Sequence, residues 1–515
     1  MHDAKPAPAA LIRGATIALG VFSFAVLLAS HHIADGDLWA KLSLGAHVWL
    51  HGGVPQHDRF AFTPTLPEYI DHEWGAGTIF YGILRLFGPG GLMALKILLA
   101  FGALFAALAT GRRLGANWNA LLVLAIPAAA CLVPGYGPVI RSHTFTYCLF
   151  AITLYCLETI RAGKNTGAFA LPFVMLLWAN VHGGCVAGLG TIGVYTAFAL
   201  VQRKNFKPML LTAVACFAVT FINPHGAKFW TILLPAILHP RARITEWQPL
   251  PLFANDSFLA FRILFVCAVA LAAVAWRRTE KKSWPGLLML ALTSYMGWRS
   301  RRHAPFFAVT TLAFVAPFLE TVFAGFAEKM RAKLQPAVAL VALYGLVAIY
   351  VSAQFLPRAS FQVLAPVGHD PVREMDILSL AQAEGNLATP FGWGSYCAWR
   401  LHPRVKISMD GRYEAVFPES TFELNNDFFD KRGTNWDRLI RDYPVDFVLL
   451  EFTQERLRPQ DLSGRGYALI WVTGTNSALM ALEKHTAKLR QVAAELPDTT
   501  INPLDATIPE KWWVK

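Results

Sequence analysis

The feature that most constrains this chain is a rhythm of long apolar stretches broken by short charged loops. Runs of roughly 17–25 apolar residues match the hydrocarbon core of a bilayer, where a segment must satisfy its own backbone hydrogen bonds. The expected fold is therefore a polytopic α-helical membrane protein. Hydropathy marks spans at 14–32, 91–110, 118–134, 143–160, 167–181, 185–201, 208–222, 258–276, 285–298, 304–324 and 336–353, about eleven in all. Composition agrees. Of 515 residues, 55% are hydrophobic and 16% charged, where a soluble chain carries about 25% charged.

A net charge of +12 would suit a nucleic-acid ligand if the cations shared one soluble face. They do not. Arg112 and Arg113; Arg161 and Lys164; Arg203, Lys204 and Lys207; Arg277, Arg278, Lys281 and Lys282; and Lys329, Arg331 and Lys333 fall in alternate loops. That is the positive-inside pattern, and with Lys5 and Arg13 it sets the N-terminus in the cytoplasm. Membrane lipids are expected partners, and nucleic acid is not. Segment 14–32 lacks a small-residue cleavage site and reads as a retained anchor. The expected division is a membrane domain, 1–354, whose outer loop 33–90 carries interfacial helices, and an extracytoplasmic α/β domain, 355–515. Six of the seven cysteines lie in predicted spans and only Cys397 lies in the large outer region. No disulfide framework is expected.

The outer loop opens with "DGDLWAKLSLGAHVWLHGGVP". Leu38, Leu42, Ala46 and Trp49 share one helical face, with Lys41, His47 and His51 elsewhere, as in a helix lying in the interface plane. "EYIDHEWG" then brings Asp71, His72 and Glu73 ahead of a second amphipathic helix. Asp35 and Asp37 can simply cap a helix. They can also accept a proton or share a cation.

Polar residues gather at the other predicted outer ends. "MGWRSRRHAPFF" places Arg299, Arg301, Arg302 and His303 there, and "GYGPVIRSHTF" adds Arg141 and His143. "WANVHGG" supplies Asn180 and His182, and "INPHGAKFW" supplies Asn223, His225 and Lys228. Arginine runs against the usual bias of outer loops. Phosphate is a natural partner for its forked donors, with lipid headgroups or the acids of the first loop as the alternative. In the exported part, "VKISM", "VDFVLLEF", "ALIWVTG" and "SALMAL" read as strands. "DPVREMDILSLAQAEG" and "NWDRLIRDYP" read as helices between them. "MDGRYE" puts Asp410, Arg412 and Glu414 after a strand, where an ion-paired turn is the ordinary reading. Trp512 and Trp513 suggest an interface-seeking tail.

These stretches, with "DHEWGAGTIFYGILRLFG", "LLWANVHGG", "NPHGAKFW", "ITEWQP", "SRRHAPFF" and "FGWGSYCAWRL…MDGRYE", resemble the GT-C membrane glycosyltransferases. That superfamily includes protein O-mannosyltransferases, aminoarabinose transferases and oligosaccharyltransferases, and the chain is more similar still to a bacterial group related to them. The resemblance implies a polyprenyl-phosphate sugar donor and a glycan, lipid or protein acceptor. The site would face outward from a bacterial inner membrane, with the C-terminal domain periplasmic. Asp37 would be the base, with Asp35 as its neighbour, or the two would hold a divalent cation such as Mg²⁺ or Mn²⁺. Arg299, Arg301, Arg302 and His303, with Arg141 and His143, would bind the donor phosphate. Asp71, His72, Glu73, His182 and His225 would be substrate or metal ligands. Two other classes compete. A transporter would show ionisable residues at mid-membrane and related halves, and a non-enzymatic scaffold with an exported binding domain would need far fewer spans.

Overall fold

The computed structural model describes residues 8–137, 140–238, 245–254, 256–279, 282–330, 336–365 and 369–496. Lys5, Lys281, Arg331, Lys333 and the tail with Trp512 and Trp513 lie outside them. The chain forms two compact units, residues 1–32 with 93–361 and residues 33–92 with 362–515. The outer loop therefore belongs with the C-terminal region, and the division follows contacts where the expected one followed chain order.

The first unit is helical. A helix covers each predicted apolar run: Pro8–Ala29, Trp74–Arg113, Trp118–Tyr136, His143–Arg161, Thr166–Val181, Cys185–Gln202, Phe206–Val219, Leu259–Ala275, Trp284–Arg299, Ala304–Phe314 continued by Ala316–Met330, and Pro336–Phe355. Among the described residues, five helices are long and apolar enough to cross a membrane, or six if one bent pair counts as a single span. Thr166–Val181, Phe206–Val219 and Leu259–Ala275 are apolar but shorter. The helix Trp74–Arg113 breaks at Gly88, whose φ of 66° suits glycine, just before Pro89.

Two buried charged side chains of this unit have found partners, as burial favours. Glu158, only 1% exposed, accepts from Tyr195 Oη at 2.8 Å, Arg161 Nε at 2.7 Å and the Ser283 hydroxyl, so one carboxylate ties three helices. Lys96 is fully buried and donates to the Leu28 and His31 carbonyls, closing the end of the first helix.

The second unit is α/β. Its five strands are β1 (Gly385–Ala388), β2 (Val405–Ile407), β3 (Phe447–Glu451), β4 (Tyr467–Thr473) and β5 (Ser477–Leu482), in the order β2-β1-β3-β5-β4. β1 runs parallel to β2 and β3, whereas β5 is antiparallel to β3 and β4. The four predicted strand runs are β2 to β5, and the predicted helices shorten to Val372–Leu380 and Arg438–Asp442. The outer loop completes the sheet's edge. Ala61 bridges to Ile407, the Phe62 N–H donates to the Ile407 carbonyl at 3.0 Å, and Thr63 Oγ1 donates to the Ser408 carbonyl.

Helix Gly36–His51 is buried along most of its length, from Leu38 to Ala46, with Trp39 edge-on to Tyr396 at 5.1 Å. Only its far end leaves apolar side chains exposed, at Trp49 and Leu50. It crosses the helix starting at Trp74 through glycines. A Cβ on Gly45 would come within 2.0 Å of the Gly77 carbonyl, so the two backbones meet where no side chain fits.

Candidate active site

That glycine crossing sets the chemistry of the loop's acids. It brings Lys41 between Asp71 Oδ1 at 3.0 Å and Glu73 Oε2 at 2.9 Å, with His72 Nε2 3.8 Å from Glu73. Burial works against the Lys41 charge, but the two carboxylates outweigh it and hold the ammonium well above its usual range. Two of the three expected ligands, Asp71 and Glu73, thus pair with a cation supplied by the chain itself.

Asp35 and Asp37 part company. Asp35 is the extended N-cap of helix Gly36–His51 and accepts from the Leu38 N–H at 3.1 Å. Asp37 stands in the first helical turn with its side chain exposed. The turn packs against the five-stranded sheet: a Cβ on Gly36 would lie 3.4 Å from the Gly392 carbonyl, in the connection after β1. The acids therefore sit beside the carboxyl end of a parallel strand, where α/β folds place their ligands. His369 is a titratable neighbour that the sequence reading passed over. Its hydrogen bond to Asp370, with Nδ1 3.5 Å from Oδ2, outweighs burial, and with the charges of Asp370 and Asp35 holds the imidazole above its ordinary range.

Asp35 accepts from the Leu38 N–H through Oδ1, and Asp71 Oδ1 and Glu73 Oε2 pair with Lys41. Among the described residues no group of three or more His, Cys, Asp or Glu is placed to hold a metal.

"MDGRYE" resolves as a buried ion-pair centre. Arg412 Nη1 is 2.6 Å from Asp58 Oδ1 and Nη2 is 2.8 Å from Asp410 Oδ2. Its guanidinium lies over Phe60 at 4.9 Å and Tyr69 at 5.6 Å. These contacts pin the turn of the outer loop to the sheet that supports it.

In the helical unit the basic residues converge on a group the sequence reading did not select. Glu246, in the 3₁₀ turn Thr245–Trp247, lies 3.3 Å from Arg141 Nη1 and 2.7 Å from Arg302 Nη1. Trp247 lies under the Arg302 guanidinium at 5.3 Å. His182 Nε2 is 3.5 Å from Arg302 Nη2, and its Nδ1 is 2.8 Å from Thr146 Oγ1. Tyr147 Oη donates to the Arg302 carbonyl at 3.1 Å.

The remaining predicted residues are placed as follows. His143 is buried and its Nε2 donates to the Gly135 carbonyl at 3.0 Å, with its ring 6.3 Å from His182. His303 turns its ring edge to Trp247 at 6.0 Å. Arg299 ends helix Trp284–Arg299, and neither it nor Arg301 makes an ion pair among the described residues. His225 is buried in a turn where the Asn223 side chain accepts from its backbone N–H at 2.8 Å. The sequence did carry a signal for Glu246: a lone acid in "ITEWQP", at a membrane end otherwise rich in cations.

No family model matches the chain, and none of the curated proteins does. Solved structures do. The archaeal oligosaccharyltransferase AglB from Archaeoglobus fulgidus, in complex with an inhibitory peptide and a dolichol-phosphate, matches with a TM-score of 0.61 at 13% identity, over 85% of this chain and 69% of that one. The Archaeoglobus fulgidus oligosaccharyltransferase in complex with Zn and sulfate gives 0.57 at 13%, over 89% and 72%. ArnT from Cupriavidus metallidurans in the apo state gives 0.54 at 12%, over 93% and 98%. At such identities the likeness is one of fold.

Proposed function

We propose that this chain, whose fold is that of the GT-C membrane glycosyltransferases, moves a sugar from a polyprenyl-phosphate donor to a glycan, lipid or protein acceptor. The reaction is assigned to the extracytoplasmic face of a bacterial inner membrane, with the N-terminus inside, as the alternating basic loops suggest. One observation carries the reading: Arg141 and Arg302, from separate segments, point their guanidiniums at a single anion. Forked donors held in this way suit a phosphate.

In the proposed step an acceptor oxygen or nitrogen bonds to the sugar's anomeric carbon as the bond from that carbon to the phosphate oxygen breaks. The electron pair leaves with the polyprenyl phosphate, where Arg302 and Arg141 stabilise the growing charge. The acceptor's proton passes to Asp37. Asp37 is assigned the role because it is exposed in the first turn of its helix. A fold neighbour was solved with a dolichol-phosphate and a peptide, which supports a lipid-linked donor and a macromolecular acceptor as classes.

The test uses the full chain in nanodiscs with a panel of labelled polyprenyl-phosphate sugars and envelope-extract acceptors, reading released polyprenyl phosphate. Wild type should consume one donor, and Arg302→Ala should lose donor affinity. Consumption of none, or unchanged donor affinity in Arg302→Ala, would overturn the reading.

A further inference from the structure

We infer that Glu246 is a built-in stand-in for phosphate: it occupies the arginine pair in the resting chain, yields to the donor, and returns to help expel the spent lipid phosphate. The inference rests on the phosphate reading above and deepens it.

The geometry supports exchange. Glu246, Arg141 and Arg302 are 29%, 20% and 23% exposed, so an incoming anion can reach all three. One carboxylate faces two guanidiniums. A phosphate monoester carries about −1.5 to −2 at neutral pH and matches that pair better than a carboxylate does.

The main chain around Glu246 is held without its carboxylate. Leu250 N–H donates to the Trp298 carbonyl at 3.0 Å, Arg301 N–H to the Gln248 carbonyl at 3.1 Å, and Ser300 Oγ to the Glu246 carbonyl at 3.2 Å. Rotation of one side chain therefore opens the arginines while the turn stays in place. Trp247 stacks beneath Arg302 throughout and keeps its guanidinium aimed.

The consequence concerns product more than donor. The donor is a phosphodiester with one charge, and the product is a monoester with nearly two. Transfer therefore strengthens the lipid phosphate's hold on Arg141 and Arg302 just when it must leave. A carboxylate competing for the same guanidiniums weakens that hold.

The probe is polyprenyl monophosphate, which is the product whatever sugar is moved, titrated into the full chain in phosphatidylcholine nanodiscs and read by tryptophan fluorescence. Glu246→Gln should bind it about five- to tenfold more tightly than wild type. In an Arg141→Ala, Arg302→Ala background the same substitution should change affinity less than twofold. Unchanged or weaker binding in Glu246→Gln, while the arginine variants still lose affinity, overturns this inference and leaves the phosphate reading intact. Unchanged binding in the arginine variants overturns the phosphate reading itself. Equal tightening toward phosphatidylglycerol or inorganic phosphate overturns the assignment to a polyprenyl phosphate.

Discussion

Replacing Arg412 by alanine tests whether the outer loop and the C-terminal sheet form one structural unit. Arg412 is 5% exposed, and its partners Asp58 and Asp410 are 1% and 2% exposed. Removing the guanidinium leaves two carboxylates without their shared cation in a site lined by Phe60 and Tyr69. Breaking a buried pair from one side is destabilising by about 3–5 kcal/mol. In domains of 150–250 residues each kcal/mol moves Tm by about 2–4 °C, so the unfolding transition of this unit should fall by about 6–20 °C. Differential scanning fluorimetry of the full chain in nanodiscs reads the shift, and limited proteolysis shows whether 33–92 and 362–496 become cleavable together. Arg412→Lys keeps the charge but not the fork and should fall between. A Tm within about 2 °C of wild type would refute the reasoning. So would lost transfer with unchanged Tm, which would move Arg412 from the scaffold into the chemistry.

The two aspartates of the outer loop should separate by assay. Asp37→Asn is expected to keep Tm and donor binding but lose most turnover, because an amide cannot take the acceptor's proton; near-normal turnover would make Asp37 a solvated first-turn acid. Asp35→Ala should instead lower stability by about 1 kcal/mol through the lost cap, and unchanged stability would remove the cap as its role. Burial first, then the Asp430 charge, pushes the Glu455 carboxyl up to about 7 from 4.5. Its contribution is full below about pH 4.5, where the folded and unfolded chains both hold the proton. It is lost as pH rises through about 7, because the unfolded chain ionises first. Glu455→Gln should flatten that decline in Tm between pH 4.5 and 7.5, and an unchanged slope would exclude Glu455 as its source.

Legibility in the sequence tracked how local each cause was. A helix in an apolar run needs nothing but its own residues, and each predicted run is a helix. Whether such a helix crosses a bilayer also depends on length, and Thr166–Val181 and Phe206–Val219 fall short of it alone. Strand β1 was invisible because "GNLA" is four residues with no apolar alternation. The partnership of the outer loop with the C-terminal sheet was equally hidden. Ala61 pairs with Ile407 across most of the chain, and no periodicity reports a contact of that separation.

The site was half legible for the same reason. That Asp35 can cap and Asp37 can accept a proton follows from residue type and position, but which does which follows from the extended backbone at Asp35 and its bond to Leu38 N. The acids at 71 and 73 looked like free ligands in a one-dimensional reading. Their pairing with Lys41 requires two helices to approach closely, and that approach depends on Gly45 meeting Gly77. The arginines show the converse. Their excess at an outer end was plain in the sequence, yet an excess of charge names no ligand. It gains meaning only when Glu246 shows that two of them can aim at one anion. A single acid among cations, beside a tryptophan able to stack on arginine, is therefore a better pointer to an anion site than the cations are. The acid marks where the charges converge, and the cations alone mark only where they are plentiful.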